Sequence, residues 1–451
     1  DNGFKAYFND GAQLIAPHDK GVITEVNALT SDSYEPLPAD QQGSLRVLDS
    51  SFDEIYIARL KGVVLRPEVF GKASAKVVYT NLHGTGKRCI VPLLKSIGSN
   101  VSTVAAQDVQ DGRFPTVASP NPENAPALDM AIAQANEEQA DLVIATDPDC
   151  DRMGIAVRNP ATGKMELLTG NQTGCLLAWY RCMSLVELGI LTPENLKHAV
   201  MVKTFVTSPL QDAIAKSFGI DVVNVLTGFK YIAAKLGKYE NAIPAELRRN
   251  YRSMSEAETR ELRLRTSKYF VFGGEESYGY LAQDFVRDKD ANVAALCLAE
   301  MNAYLATQGI GLLECLNNIY KEFGYYKELG KSLVMEGADG AAKIAALTQS
   351  YIDNPPSAMD GSKVVRVRNF ANGDLLDAEG DPIPAEKMLF FDLEDGRSFA
   401  VRPSGTEPKI KYYLFAHGAP GVEPEVSRPV VEASIDALWK AVAADAAERS
   451  R

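Results

Sequence analysis

Three short stretches concentrate carboxylates, hydroxyls, guanidinium groups and glycines in loops that follow strand-like runs. Asp147-Pro148-Asp149-Cys150-Asp151-Arg152 sets carboxylates at alternate positions behind the apolar run Ala140 to Ala145. A loop that turns all three inward offers oxygen ligands to one hard cation. Mg2+ prefers such ligands and keeps positions open for water or a phosphoryl oxygen. The rival readings are an acidic surface turn and a calcium loop, but the glycine and distal glutamate of an EF-hand are missing, and the Arg152 guanidinium could hold a phosphate beside the ion. Arg402-Pro403-Ser404-Gly405-Thr406-Glu407-Pro408 puts a donor fork, two hydroxyls and glycine-freed amides between two strand-like runs, with Lys409 and Lys411 adding positive potential. That density of donors suits a phosphate. Gly274-Glu275-Glu276-Ser277-Tyr278-Gly279 places two carboxylates and a hydroxyl on a flexible turn, suited to vicinal sugar hydroxyls and otherwise common in solvated turns.

Other residues carry weaker signals. Lys230 follows the turn Thr227-Gly228-Phe229, and Lys5 lies in a strand-like opening; a lone lysine is usually a solvated charge. His83, in Leu82-His83-Gly84-Thr85-Gly86, reads as a histidine satisfied within a strand-to-helix turn, and the glycines around it resemble a generic phosphate turn. Ser208 before Pro209 reads as a helix start rather than a nucleophile.

The elements that must position these loops follow from the apolar pattern. At 451 residues the chain exceeds what one core usually serves. Short apolar runs at Ala75 to Tyr79 and Ala140 to Ala145 alternate with helical spacing at Ile90 to Ile97 and Gly174 to Leu188, which predicts a largely parallel sheet covered by helices. A second such unit has strands at Ala199 to Phe205, Asp221 to Val225 and Phe270 to Phe272, and a helix over Asn292 to Ala306. Between Lys238 and Lys268 a charged stretch without an apolar stripe predicts a solvated insertion. Short strands from Lys363 to Phe415 and a helix over Pro429 to Ala447 predict a final antiparallel sheet with helices on one face. The opening piece, with a strand over Phe4 to Phe8, a helix after Asp19 and a polar linker over Ser31 to Ser44, is too small to bury a core of its own. The expected units are 1–45, 46–192 (metal loop), 193–326 (sugar loop) and 327–451 (phosphate loop).

Composition excludes several classes of function. The 47 Lys plus Arg against 59 Asp plus Glu give a net charge of -12, which argues against nucleic acid or an acidic membrane as partner. No apolar run approaches the roughly 20 residues of a membrane span, and the first residues are no signal peptide. Six cysteines without a CxxC pair fit reduced thiols in a cytoplasm.

Asn2-Gly3-Phe4-Lys5, Leu82 to Gly86, Asp147 to Arg152, Thr227 to Lys230, Gly274 to Ser277 and Arg402 to Lys409 stand in one order along the chain. In that order the chain resembles the alpha-D-phosphohexomutases, the phosphoglucomutase and phosphomannomutase family, and Glu275 to Tyr280 looks most like the phosphoglucomutase branch. The resemblance implies an α/β multidomain protein: two complete mixed α/β domains, a C-terminal α+β domain like the TATA-binding protein, and a remnant of a first α/β domain. It implies that Asp147, Asp149 and Asp151 hold Mg2+, that Arg152 neighbours the transferring phosphoryl group and that Lys5 is an acid/base candidate. Glu275 and Ser277 would read sugar hydroxyls, Lys230 would assist, and Arg402, Ser404, Gly405 and Thr406 would clamp the other phosphate.

The implied reaction interconverts hexose 1-phosphate and hexose 6-phosphate, glucose leading and mannose possible, through a phosphoserine and a bisphosphate, with glucose 1,6-bisphosphate as activator. The expected partners are small phosphosugars, for a monomer or dimer. The serine loop of the family, Thr-Ala-Ser-His-Asn-Pro, would precede Asn2, so this chain is expected to be inactive or impaired as a mutase. The histidine some members carry after the glutamate turn is replaced by Tyr278-Gly279-Tyr280, which leaves a second acid/base unassigned. The alternatives are a non-catalytic phosphosugar-binding remnant and a Mg2+-dependent sugar phosphatase.

Overall fold

The computed structural model of the chain describes residues 5–31, 33, 35–72, 75–336, 339–404 and 408–450. The opening piece forms no strand of the expected length. Tyr7 pairs with Gln13 in a single bridge, Phe4 lies outside the described residues, and α1 (His18–Ala28) buries none of its side chains. Helix α2 (Ser50–Lys61), which the apolar pattern did not reveal, begins at an Asp49 cap.

Strand β1 (Lys76–Thr80), helix α3 (Lys87–Ser96), β2 (Asn100–Thr103), α4 (Asp129–Glu138), β3 (Leu142–Thr146), β4 (Met153–Arg158) and β5 (Met165–Leu168) build the first sheet, in the order β2-β1-β3-β4-β5. β1 runs parallel to β2 and β3, whereas β4 runs antiparallel to both of its neighbours, β3 and β5. The sheet is therefore mixed rather than largely parallel. The acidic stretch is the turn of a β3–β4 hairpin, not a crossover into a helix.

The helix expected to end the first unit, α5 (Gly170–Glu187), packs with the second instead and starts at a Thr169 and Gln172 capping box. β6 (Ala199–Thr204), α6 (Leu210–Ser217), β7 (Asp221–Val225), α7 (Phe229–Asn241), α8 (Ala245–Arg248), α9 (Glu256–Thr266), β8 (Tyr269–Gly274), β9 (Tyr280–Leu281), α10 (Ala291–Thr307) and α11 (Leu312–Phe323) follow, and the sheet order is β7-β6-β8-β9. α5 lies on β8 and α6, while α10 reaches back to α3 and α5, so both sheets share one apolar core. The stretch from Lys238 to Lys268 is not a solvated insertion. Ile243, Tyr251 and Leu262 form a small core there, and Arg263 is buried against Asp284. Its buried charges are answered by Asp284 and Arg287 of the loop after β9, which no apolar stripe would reveal.

The last unit comprises β10 (Tyr326–Val334), α12 (Gly340–Asp353), β11 (Ala358–Met359), β12 (Ser362–Asn369), β13 (Leu389–Leu393), β14 (Ser398–Pro403), β15 (Lys409–His417) and α13 (Pro424–Arg449). The sheet is antiparallel, in the order β10-β15-β14-β13-β12-β11. Alternate side chains serve two cores. Phe391, Phe399, Tyr412 and Leu414 join the cluster that includes Ile435 and Leu438 of α13, while Phe390, Ala400, Tyr413 and Phe415 face Val206 and Leu226 of the second unit. The sheet is thus covered on both faces, and each buried aromatic contributes about 2 kcal/mol to the union. All six cysteines are unpaired, and no helix among the described residues is long and apolar enough to cross a membrane.

Candidate active site

The acidic hairpin gathers its carboxylates through its own backbone. Asp147 Oδ1 accepts the amides of Asp151 (3.0 Å) and Arg152 (2.9 Å), and Cys150 adopts a positive φ of 60° at the tip, a conformation that non-glycine residues hold only when their surroundings impose it. Ligand atoms of Asp147, Asp149 and Asp151 lie within 4.8 Å of one another. Burial and the neighbouring Asp151 push the Asp147 carboxyl above its ordinary range, opposed by the bonds from Arg152. An oxygen-only cluster of three convergent carboxylates is the donor set a hard divalent cation needs, so these residues fit Mg2+. The Leu82 to Gly86 turn buttresses the hairpin. Thr85 donates its amide to Pro148 O (2.8 Å), and a Cβ on Gly84 would sit 2.3 Å from Pro148 Cα. Those glycines serve close packing. His83 is satisfied, with Nδ1 3.0 Å from Val109 O and Nε2 2.8 Å from Thr116 Oγ1. Ser208 contacts Glu328 and accepts the Leu210 amide at 3.2 Å, as a residue opening a helix does.

The glutamate loop joins this hairpin directly. Arg152 bridges Gly279 in antiparallel fashion, and Met153 donates its amide to Tyr278 O at 3.0 Å. Glu275 is buried, and its Oε1 accepts the Gly228 amide at 2.8 Å, which ties the Thr227 to Lys230 turn to the same strip. Burial holds its carboxyl above the usual range. Ser277 is part-buried at the turn. Lys230 follows the Thr227 to Phe229 turn, and its Nζ meets Asp19 of α1 at 3.2 Å.

Arg402, at the end of β14, pairs through Nε with Glu386. Together with Lys387, Pro403, Ser404 and Pro408 they line a cleft of about 540 Å³. Ser404 donates its amide to Lys409 O at 2.9 Å; Gly405 and Thr406 lie outside the described residues. Arg402 and Glu386 both act electrostatically on Tyr231, the neighbour of Lys230.

Cations ring the acidic cluster. Arg152 Nε lies 2.8 Å from Asp147 Oδ2 and 3.7 Å from Asp151 Oδ1. Lys5 Nζ stands 3.9 Å from Asp151 Oδ2. Closer still is a residue the sequence reading missed: Lys289 Nζ, 2.7 Å from the same oxygen. Burial disfavours its ammonium, but Asp151 and Asp288 outweigh that and raise its pKa. In sequence it sits in Arg287-Asp288-Lys289-Asp290, a run that reads as solvated charge. Only its position immediately before a buried helix hinted otherwise.

Two mixed α/β units and an antiparallel α+β unit, strung in this order with their loops at strand ends, define a multidomain α/β enzyme of phosphoryl transfer. Models of the phosphoglucomutase/phosphomannomutase alpha/beta/alpha domain II match residues 54–163, of domain III residues 169–248 and 253–323, and of the C-terminal domain residues 334–423. The chain belongs to the phosphoglucomutase/phosphomannomutase family, whose members are intramolecular phosphotransferases. A phosphoglucomutase of Staphylococcus epidermidis strain ATCC 12228 is 34% identical over 422 residues, covering 92% of this chain and 70% of the relative. One from Staphylococcus aureus strain MRSA252 is 32% identical over 421 residues, covering 92% and 69%. In fold the chain is similar to a phosphoglucomutase/phosphomannomutase family protein from Burkholderia thailandensis (TM-score 0.54, 16% identity, 88% of this chain and 64% of that one). It is likewise similar to the open form of pp63/parafusin from Paramecium (TM-score 0.55, 15% identity, 88% and 62%).

Proposed function

We propose that the chain carries the metal, sugar and phosphate parts of a mutase that interconverts hexose 1-phosphate and hexose 6-phosphate, glucose preferred and mannose accepted, through a phosphoserine enzyme and a bisphosphate. The observation that carries this reading is the direct splice of the acidic hairpin to the glutamate loop, by the Arg152 and Gly279 bridge and the 3.0 Å bond from Met153 to Tyr278. It makes the cation seat and the hydroxyl-reading loop one strip, so a phosphate at one end and sugar hydroxyls at the other share a fixed spacing.

In this reading Asp147, Asp149 and Asp151 hold Mg2+, which when bound neutralises charge on a transferring phosphoryl group. Arg152 offers its guanidinium to that group. Lys289, held cationic by Asp151 and Asp288, adds positive charge, and the more exposed Lys5 is the candidate to move a proton at the sugar oxygen. Glu275 and Ser277 read the hydroxyls, with Lys230 assisting. Arg402 with Ser404, Gly405 and Thr406 takes the phosphate that does not react, and glucose 1,6-bisphosphate acts as activator.

The test is a coupled assay from glucose 1-phosphate to glucose 6-phosphate, with Mg2+ and a trace of glucose 1,6-bisphosphate, on this chain and on a chain extended upstream through a serine loop. Isomerisation by the extended chain is expected. Release of inorganic phosphate without isomerisation would replace the mutase with a phosphatase.

A further inference from the structure

We propose that the charged segment between Lys238 and Lys268 is a brace that positions Lys289 at the acidic hairpin, acting through Asp284 and Arg287. The inference rests on the reading that Lys289 works at that hairpin. The loop from Ala282 to Asp290 joins β9 to α10 and ends where the Ala291 amide donates to Cys150 O at 3.1 Å, inside the metal loop itself. Two anchors hold the loop before it reaches the lysine. At the first, Asp284 Oδ2 accepts the Tyr251 hydroxyl at 2.7 Å and pairs with Arg263. Arg263 is 1% exposed, bonds the same tyrosine and stacks on its ring with 5.1 Å to the centroid. At the second, Arg287 extends one nitrogen to Asp10 Oδ2 at 2.5 Å and the other to Glu240, which Arg252 approaches at 3.6 Å. Between the anchors the Phe285 ring lies under the Arg59 guanidinium, 5.1 Å away.

The seat of the lysine is tight. A Cβ on Gly279 would come within 2.5 Å of Lys289 Cδ, so the lysine stem lies along the glutamate loop with no lateral room. Displacing the loop by about 1 Å would break the contact with Asp151, the scale at which misplacement becomes costly. A segment that merely stabilised itself would satisfy its arginines locally. Here Arg263 and Glu240 both spend their charge on the loop.

The test uses the chain without ligand. Acetylation by an N-hydroxysuccinimide ester, followed residue by residue in a mass spectrometer, reads access to each lysine. The Lys289 side chain is 17% exposed, against 3% for Lys203 and 10% for Lys235, which serve as internal controls. D284N, and the milder E240Q should D284N fold poorly, are expected to speed labelling of Lys289 about tenfold, as local opening does, with Lys203 and Lys235 unchanged and D284E slow again. An unchanged Lys289 rate overturns the proposal, and so does an equal acceleration of all three lysines. A second arm measures the Kd of glucose 1,6-bisphosphate calorimetrically: D284N weakens it in the native background and changes nothing in K289M. If the unaltered chain does not bind the bisphosphate, the functional reading fails, while the labelling still decides the brace.

Discussion

Two acidic loops of this chain share a pattern and part ways in use. Asp147, Asp149 and Asp151 alternate in a hairpin of the first sheet; Asp377, Glu379 and Asp381 alternate in the last unit. In both, the first carboxylate gathers two backbone amides of its own loop. Asp147 Oδ1 accepts the amides of Asp151 and Arg152 at 3.0 and 2.9 Å, and Asp377 Oδ1 accepts those of Glu379 and Asp381 at 2.9 and 3.0 Å. The difference lies in what occupies the centre. Lys235 of α7 reaches all three carboxylates of the second loop, with Nζ 3.1 Å from Glu379 and 2.5 Å from Asp381 and in contact with Asp377, and Lys238 reinforces it. That cluster is a clamp between the second unit and the last. In the hairpin, Arg152, Lys289 and Lys5 flank Asp147 and Asp151, and no ion pair within 4.0 Å engages Asp149 among the described residues. The same alternation of carboxylates thus gives one centre to Lys235 and, in the function proposed, the other to a metal ion; the placement of the protein's own cations is the difference.

The comparison breaks most visibly if the central lysine is removed. K235M leaves buried carboxylates short of their partner, and an unfolding free energy lower by about 3 kcal/mol is expected in urea titration. Added Mn2+ should recover part of that loss, since the loop would then present an open centre. On the other side, D149N should weaken Mn2+ binding, followed by electron paramagnetic resonance, at least about 100-fold, with little change in Tm because Asp149 is exposed. R402M should weaken binding of glucose 1,6-bisphosphate about 30-fold through the lost charge-assisted bonds to phosphate.

The smallest expected effect concerns Glu276. Burial and then Glu275 push its carboxyl up to about 7 from an ordinary 4.5. The folded state thus binds the proton more tightly than the unfolded one. The stability this confers is complete below about 4.5 and is lost as pH rises through about 7. E276Q, which cannot ionise, should lose about 2 kcal/mol less than the native chain between pH 5 and pH 8 in thermal unfolding.

The strands that deliver the three loops were legible because each is a short apolar run ending in polar chemistry, as in Leu142–Thr146 and Tyr269–Gly274. β4 was not, because Met153 to Val157 follows the acidic turn directly and carries Gly154 and Ala156 in its middle, a weak strand signal. The segment from Lys238 to Lys268 misled for a different reason: hydropathy registers Arg263 and Glu256 as surface charges, whereas the fold buries both. Lys289 escaped notice in the same way. The acidic, glutamate and arginine stretches stood out as candidates because their chemistry is local in sequence; the splice between Arg152 and Gly279 spans two units and has no local signature.

The most direct test of the account is calorimetric titration of the chain with glucose 1,6-bisphosphate, in Mg2+ and again in EDTA. Saturable binding at one site is expected, strong in Mg2+ and much weaker once the ion is chelated, with D149N behaving in Mg2+ as the native chain does in EDTA. Equal affinity with and without Mg2+ would contradict it, because the acidic hairpin would then play no part in holding the sugar phosphate.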